Sequence, residues 1–85
     1  RPREKKLKFS FKEQREYDTI DDEIADLEEQ IRLTETEITA SVSDYVKLQE
    51  LSDRKEELEV LLAEKMERWV YLNDLAERIA NGEME

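Results

Sequence analysis

The 85-residue chain has no cysteine and no histidine, one glycine, one proline and six aromatic side chains. Without cysteine there is no disulfide framework and no thiolate metal site. One glycine rules out a phosphate-binding loop of the GxxxxGK[ST] kind. So few turn residues exclude a compact globule with many turns, and so few aromatics exclude a large core. The longest apolar runs are four residues, Val60-Leu61-Leu62-Ala63 and Trp69-Val70-Tyr71-Leu72, so nothing in the sequence spans a membrane as a helix. No secretory signal precedes the helical pattern. The chain opens on Arg1 rather than Met, which predicts a segment cut from a longer protein. These traits together predict a cytoplasmic location.

What is abundant is charge, at 45% of residues, beside 38% hydrophobic residues. That balance belongs to long helices or a coiled coil, in which stability comes from a narrow apolar seam repeated along the helices. Tyr17, Ile20, Ile24, Leu27, Ile31, Thr34 and Ile38 alternate in steps of three and four, an a/d stripe. A second stripe runs through Leu48, Leu51, Lys55, Leu58, Leu62, Lys65, Trp69, Leu72, Ala76 and Ile79, with Lys55 and Lys65 as polar interruptions. Leu61, Met66 and Leu75 widen this second face beyond a strict seam, as a third packed segment would require. The stripes are joined by "TASVSDY", Thr39 to Tyr45, which holds a capping-box pattern Ser41-x-x-Asp44, with Ser43 as a competing N-cap. A connection this short makes the helices antiparallel neighbours. Two registers satisfy the stripes: one in which facing residue numbers sum to 89, and one in which they sum to 82.

In the first register Leu72, Leu75, Ala76 and Ile79 overhang the start of the first stripe. The opening stretch "KKLKFSFKEQREY", Lys5 to Tyr17, is the segment available to cover them. Leu7, Phe9 and Phe11 alternate as an extended strand would, which lays one apolar face on the second helix and turns Lys6, Lys8 and Lys12 outward. Ser10-x-x-Glu13 and Thr19-x-x-Asp22 are further capping boxes, and Asp21, Asp22 and Glu23 suit a first helical turn. The expected organisation is a single domain: a basic lead-in over 1–9, a short helix over 10–17, a break near Asp18, helix one over 19–40, a tip at 41–43, helix two over 44–80, stopped by Asn81-Gly82, and a tail over 81–85. The fold class is all-α: an intramolecular antiparallel two-helix coiled-coil hairpin, monomeric, with a short N-terminal segment packed on the end of helix two.

Charge is distributed unevenly. Residues 1–16 hold seven basic and three acidic residues, a local charge of +4, whereas residues 17–85 hold seven basic and twenty-one acidic residues, a charge of −14. Arg1, Arg3, Lys5, Lys6, Lys8, Lys12 and Arg15 are therefore the candidate phosphate contacts of a nucleic-acid-binding arm. The bland alternative is a basic tether. Trp69 lies on the stripe and reads as core, Tyr71 lies off it, and Tyr45 sits near the tip. Lys55 and Lys65 either carry their ammonium groups outward to acids such as Glu28 or Glu23 or specify register. The acid pairs Glu28-Glu29 and Glu56-Glu57 read as solvated faces, because acid–base chemistry needs a pocket that shifts a pKa.

Lys8-Phe9-Ser10-Phe11-Lys12-Glu13-Gln14-Arg15-Glu16, the Asp44 to Leu51 opening "DYVKLQEL" of the second helix, and Glu67-Arg68-Trp69 within it resemble the C-terminal domain of ABC-F family ATPases of the Uup type. That family typically carries K-L-S-Y-K-E-Q-R-E, D-Y-x-K-L-Q-E-L and E-R-W at these places, and often a proline where Asp18-Thr19 stands here. The resemblance covers nearly the whole chain from about Lys5. It implies a parent with two tandem ATP-binding cassettes, which would hold ATP and magnesium, and no membrane domain. It further implies that the parent acts in the cytoplasm on ribosomes or related nucleic-acid processes, and that this chain is a non-catalytic extension without a cofactor of its own. The partners so implied are DNA or ribosomal RNA and the parent's own cassettes. A structural or protein-interaction spacer that touches no nucleic acid is the competing expectation.

Overall fold

A computed structural model describes residues 6–83. It is a hairpin of two helices, α1 (Phe11–Ala40) and α2 (Tyr45–Ala80), packed side by side into a rod of 72 × 17 × 16 Å. α1 begins where its sequence provides a reciprocal cap. The Glu13 amide donates to Ser10 Oγ at 3.1 Å, and the Ser10 amide donates to Glu13 Oε1 at 2.9 Å. The helix then runs through Asp18 without interruption, so the expected short helix over 10–17 and helix one over 19–40 are a single element. The reason is local: neither glycine nor proline stands there, and the Thr19 hydroxyl donates back to the Arg15 carbonyl at 3.2 Å instead of capping. Gln14 Nε2 donates to Asp18 Oδ1 at 2.9 Å across the same turn.

At the tip, Ser41 closes α1, with its amide on the Ile38 carbonyl at 3.1 Å, and Asp44 caps α2 by accepting from the Lys47 amide at 3.1 Å. The N-cap of the second helix is thus Asp44, not Ser41 or Ser43. A carboxylate at that position also faces the positive end of the helix dipole.

Every a/d position of the first stripe is buried or half-buried, and so is every one of the second except Trp69. Ile20 and Leu72 are fully enclosed, and Leu51, Leu58 and Leu75 nearly so. Enclosing each such side chain contributes about 1.5–3 kcal/mol. Thr34 is also buried, its hydroxyl satisfied by the Gln30 carbonyl at 2.8 Å. The polar contacts made by the stripe residues themselves agree on one register, while the longer reaches of Arg54 to Gln30, Arg68 to Glu16 and Tyr71 to Glu13 lie five residues off it. Lys65 Nζ meets Glu23 Oε1 at 2.8 Å, Lys55 Nζ meets Glu35 Oε2 at 3.1 Å, and Trp69 Nε1 donates to Asp21 Oδ1 at 2.7 Å. Each of these pairs lies within one residue of the register summing to 89, in which Thr34 faces Lys55 and Ile20 faces Trp69. The register summing to 82 would move each partner two helical turns away. Both lysines reach outward along their stems, Lys65 to Glu23 as expected and Lys55 to Glu35 instead of Glu28.

α2 ends in a Schellman turn. The Glu83 amide donates to the Arg78 carbonyl at 3.1 Å and the Gly82 amide to the Ile79 carbonyl at 3.0 Å, with Gly82 at φ +74°, where a side chain would be strained. The lead-in docks on this turn: the Leu7 amide donates to the Glu83 carbonyl at 2.8 Å. Leu7 and Phe9 are half-buried, and the Phe9 and Tyr17 rings lie 5.0 Å apart. Phe11 departs from the expected alternation and is 80% exposed. The two-residue period of the lead-in ends at the Ser10 cap, and as the first residue of α1 Phe11 follows the helical direction instead of the strand alternation.

Candidate nucleic-acid interface

Of the seven basic residues expected to touch phosphate, Arg1, Arg3 and Lys5 lie outside the described residues. Lys6 and Lys8 are exposed on the lead-in, which alternates them with the half-buried Leu7 and Phe9. Lys12 and Arg15 are exposed on the first turns of α1, three residues apart and so on one face. None of these four makes an ion pair among the described residues, unlike the cations of the seam.

Lys12 and Arg15 form one side of an open groove between the helices, and Lys65 and Arg68 of α2 form the other. Phe11, Glu16, Thr19 and Glu23 complete it. Lys6 and Lys8 are not among its walls. The groove lining holds four cations and two carboxylates; Lys65 and Arg68 pair with Glu23 and Glu16, which leaves Lys12 and Arg15 as its unpaired charges among the described residues, in a chain whose net charge is −10. The sequence reading missed Lys65 and Arg68 as members of this site. Their signal was the hairpin, which returns α2 beside the start of α1, where the Arg68 guanidinium reaches back along the helix to Glu16, with Nε to Oε2 at 2.7 Å.

Arg68 is the centre of the electrostatics. The hydrogen bond that Arg68 donates to Glu16 raises its pKa above the ordinary guanidinium value, so it stays a cation. Its guanidinium also stacks 4.6 Å from the centroid of the Tyr71 ring. The Tyr71 hydroxyl donates to Glu13 Oε2 at 2.8 Å. That acceptor raises the phenol's pKa above 10.0. Glu13 itself is held below the ordinary carboxylate value, first by the Ser10 amide and then by the Tyr71 hydroxyl. The capping carboxylate of α1 is thereby tied to α2 beside the groove. Across the groove wall, the Arg15 guanidinium lies 5.9 Å from the centroid of the Phe11 ring.

Other candidates resolve differently. Trp69 is not core: it sits at the seam's edge, 38% exposed, with its indole nitrogen on Asp21. A ring this large does not fit between two helices opposite Ile20 and takes a polar partner at the rim. Tyr71 is off the stripe and partly exposed, as its position predicted, and Tyr45 is exposed at the tip. Glu28, Glu29, Glu56 and Glu57 are all solvated. The two carboxylates whose titration shifts, Glu13 and Glu29, shift downward, the wrong direction for a group that must hold a proton near neutrality. Among the described residues no cluster of metal-ligating side chains occurs, and no helix is long and apolar enough to cross a membrane.

The family model described as the ABC transporter C-terminal domain matches residues 8–74. That span takes in Lys8, Lys12, Arg15, Lys65 and Arg68. The chain is 38% identical over 78 residues to an uncharacterised ABC transporter ATP-binding protein, YfmR, of Bacillus subtilis (strain 168). The alignment covers 92% of this chain and 12% of that protein, so the chain spans a small fraction of its relative's length. No solved structure matches the chain.

Proposed function

Because the chain belongs to the ABC transporter C-terminal domain family, we propose that it serves an ATP-binding cassette protein as a non-catalytic accessory domain that grips the phosphate backbone of nucleic acid through its basic end. The observation that carries this reading is the convergence of Lys12 and Arg15 from α1 with Lys65 and Arg68 from α2 on one open groove, at one end of an otherwise acidic rod. Lys6 and Lys8 extend the basic surface along the lead-in, and Arg1, Arg3 and Lys5 add charge in sequence immediately before it. Phosphate contacts of this kind position a domain without reading bases. ATP and magnesium are then the business of cassettes elsewhere in the parent protein, which works in the cytoplasm on ribosomes or other nucleic-acid assemblies. The acidic remainder of the rod repels phosphate and confines contact to the basic end.

The length of the rod supports a second reading, in which the domain is a spacer that sets distances within its parent and touches protein only. Salt separates the two. Fluorescence anisotropy with a labelled DNA duplex and a structured RNA is expected to show affinity falling with salt, at a log–log slope of roughly −2 to −4. Changing Lys6, Lys8, Lys12 and Arg15 to Gln together is expected to abolish binding while leaving the helix content intact. Absence of binding at low salt, or binding indifferent to salt and to these changes, overturns the phosphate reading in favour of the spacer.

A further inference from the structure

The groove holds more than charge. Phe11 is 80% exposed at its wall, although nothing in the architecture requires an aromatic residue there. As the first residue of α1 it contributes to neither the seam nor the lead-in clamp, and the cap that starts the helix is made by Ser10 and Glu13. A polar residue would serve the fold equally well and would expose less apolar surface. Its ring nonetheless lines the groove with Lys12 and Arg15 on its own helix and with Lys65 and Arg68 across it, the latter two paired with Glu23 and Glu16, and the Arg15 guanidinium lies 5.9 Å from its centroid. Behind Arg68, the Tyr71 ring is 47% exposed and packs its face on that guanidinium. Cations spaced about an exposed ring are the elements of a surface that holds a flexible phosphate chain and stacks a base.

We propose that this groove takes a single-stranded segment of nucleic acid, with an unpaired base stacked on Phe11 and its flanking phosphates on Lys12, Arg15, Lys65 and Arg68. The inference rests on the phosphate-binding reading above and adds the strandedness of the ligand. A duplex keeps its base faces inside the stack, so it meets the four cations but leaves the Phe11 ring unused. A single strand has a free π-face for every base, so it gains the stacking contact in addition to the phosphate contacts. Because every base has such a face, the preference is for unpaired structure and not for a sequence, and it holds for DNA and RNA alike.

The test compares the 85-residue chain with its Phe11→Ala and Phe11→Tyr variants. Each is titrated against labelled single-stranded DNA and RNA oligonucleotides of mixed sequence without self-pairing, and against the corresponding DNA duplex, at one low salt concentration and then over a salt series. Phe11 is exposed, so circular dichroism is expected to show unchanged helix content in both variants. The expected result is tighter binding of the single strands, a loss of roughly tenfold on them in Phe11→Ala, unchanged duplex binding, and retention of single-strand affinity in Phe11→Tyr. The salt slope is expected to stay the same in Phe11→Ala, because no charge is removed. Equal affinity of the native chain for single strand and duplex, or equal loss on both in Phe11→Ala, overturns the stacking proposal and leaves phosphate binding standing. Failure of the native chain to bind any of the three ligands overturns both.

Discussion

At the residue scale, Glu13 connects the most parts of the basic end. One carboxylate oxygen closes the cap of α1 on the Ser10 amide, and the other accepts from the Tyr71 hydroxyl of α2. Both bonds favour the ionised form, which is why its pKa is depressed below the ordinary value of 4.5. The linkage follows in sign. A carboxylate with a folded-state pKa below its unfolded value contributes stability that is fully present above the unfolded pKa and is lost as pH falls through the folded one. The contribution of Glu13 is therefore complete at neutrality and disappears below about pH 4.5. Thermal melts of the native chain and Glu13→Gln are expected to differ at pH 7 and to converge as the pH is lowered past that value. A difference that persists unchanged into acid would show that the carboxylate charge plays no part. The same residue shows what short motifs reveal. Of the patterns at Ser10, Thr19 and Ser41, only Ser10-x-x-Glu13 forms a capping box. Thr19 satisfies its hydroxyl within a continuous helix, and Ser41 ends a helix instead of starting one. The pattern states that a cap is chemically possible; whether the chain enters a helix there depends on what precedes it. An extended lead-in precedes Ser10, whereas unbroken helix precedes Thr19.

At the scale of the helices, the two stripes were sufficient to place the seam, because an a/d period leaves a helix one face to bury. They did not choose between two registers, since both give each seam lysine an acid to reach. What distinguishes the registers is the apolar layering. The observed one sets Leu27 by Leu62, Ile31 by Leu58 and Ile38 by Leu51, whereas the alternative opposes Lys55 to Leu27 and Ile38 to Asp44. Lys55 lies in the layer with Thr34, whose hydroxyl already has its partner in the Gln30 carbonyl. An apolar residue at 55 would therefore strand no buried polar atom. The Lys55–Glu35 bridge it replaces is partly exposed on both sides, at 31% and 52%, and such bridges contribute little. Lys55→Leu is expected to raise stability by about 1 kcal/mol, read as a higher urea midpoint with an unchanged slope. Lys55→Ala, which also removes the packed methylene stem, is expected to lower it. A lower midpoint for Lys55→Leu would show that the lysine holds the register against a competing packing.

At the scale of the whole molecule, the polarity of the rod was readable from the charge count and its composition was not. The +4 of residues 1–16 marks a basic segment of the sequence, and the hairpin returns the acidic turns around Asp74 and Glu77 to the same end. Lys65 and Arg68 join that end only because a hairpin returns the chain to its starting point, fifty residues later, in one particular register. The same return determines the state of assembly. Each stripe is satisfied by the other within one chain, and the −14 of residues 17–85 makes the flanks of two rods repel. The chain is expected to be a monomer with a radius of gyration near 19.2 Å and a longest dimension near 72 Å in small-angle scattering. The competing assembly is a dimer in which the turn at Ser41 to Asp44 straightens and each stripe finds its partner in a second copy. A continuous helix over residues 11–80 would be about 105 Å long, so the longest dimension separates the two states without reference to mass. Raising salt weakens the repulsion between flanks and favours the dimer if the turn opens readily. The capped ends at Ser41 and Asp44 oppose that, because straightening forfeits the Asp44 bond to the Lys47 amide and draws Asp44 into a continuous helix. Scattering is therefore expected to stay monomeric through a salt series. A longest dimension growing toward the longer value with concentration would mean that the groove at the basic end, which needs both helices of one chain, is not the form that meets its ligand.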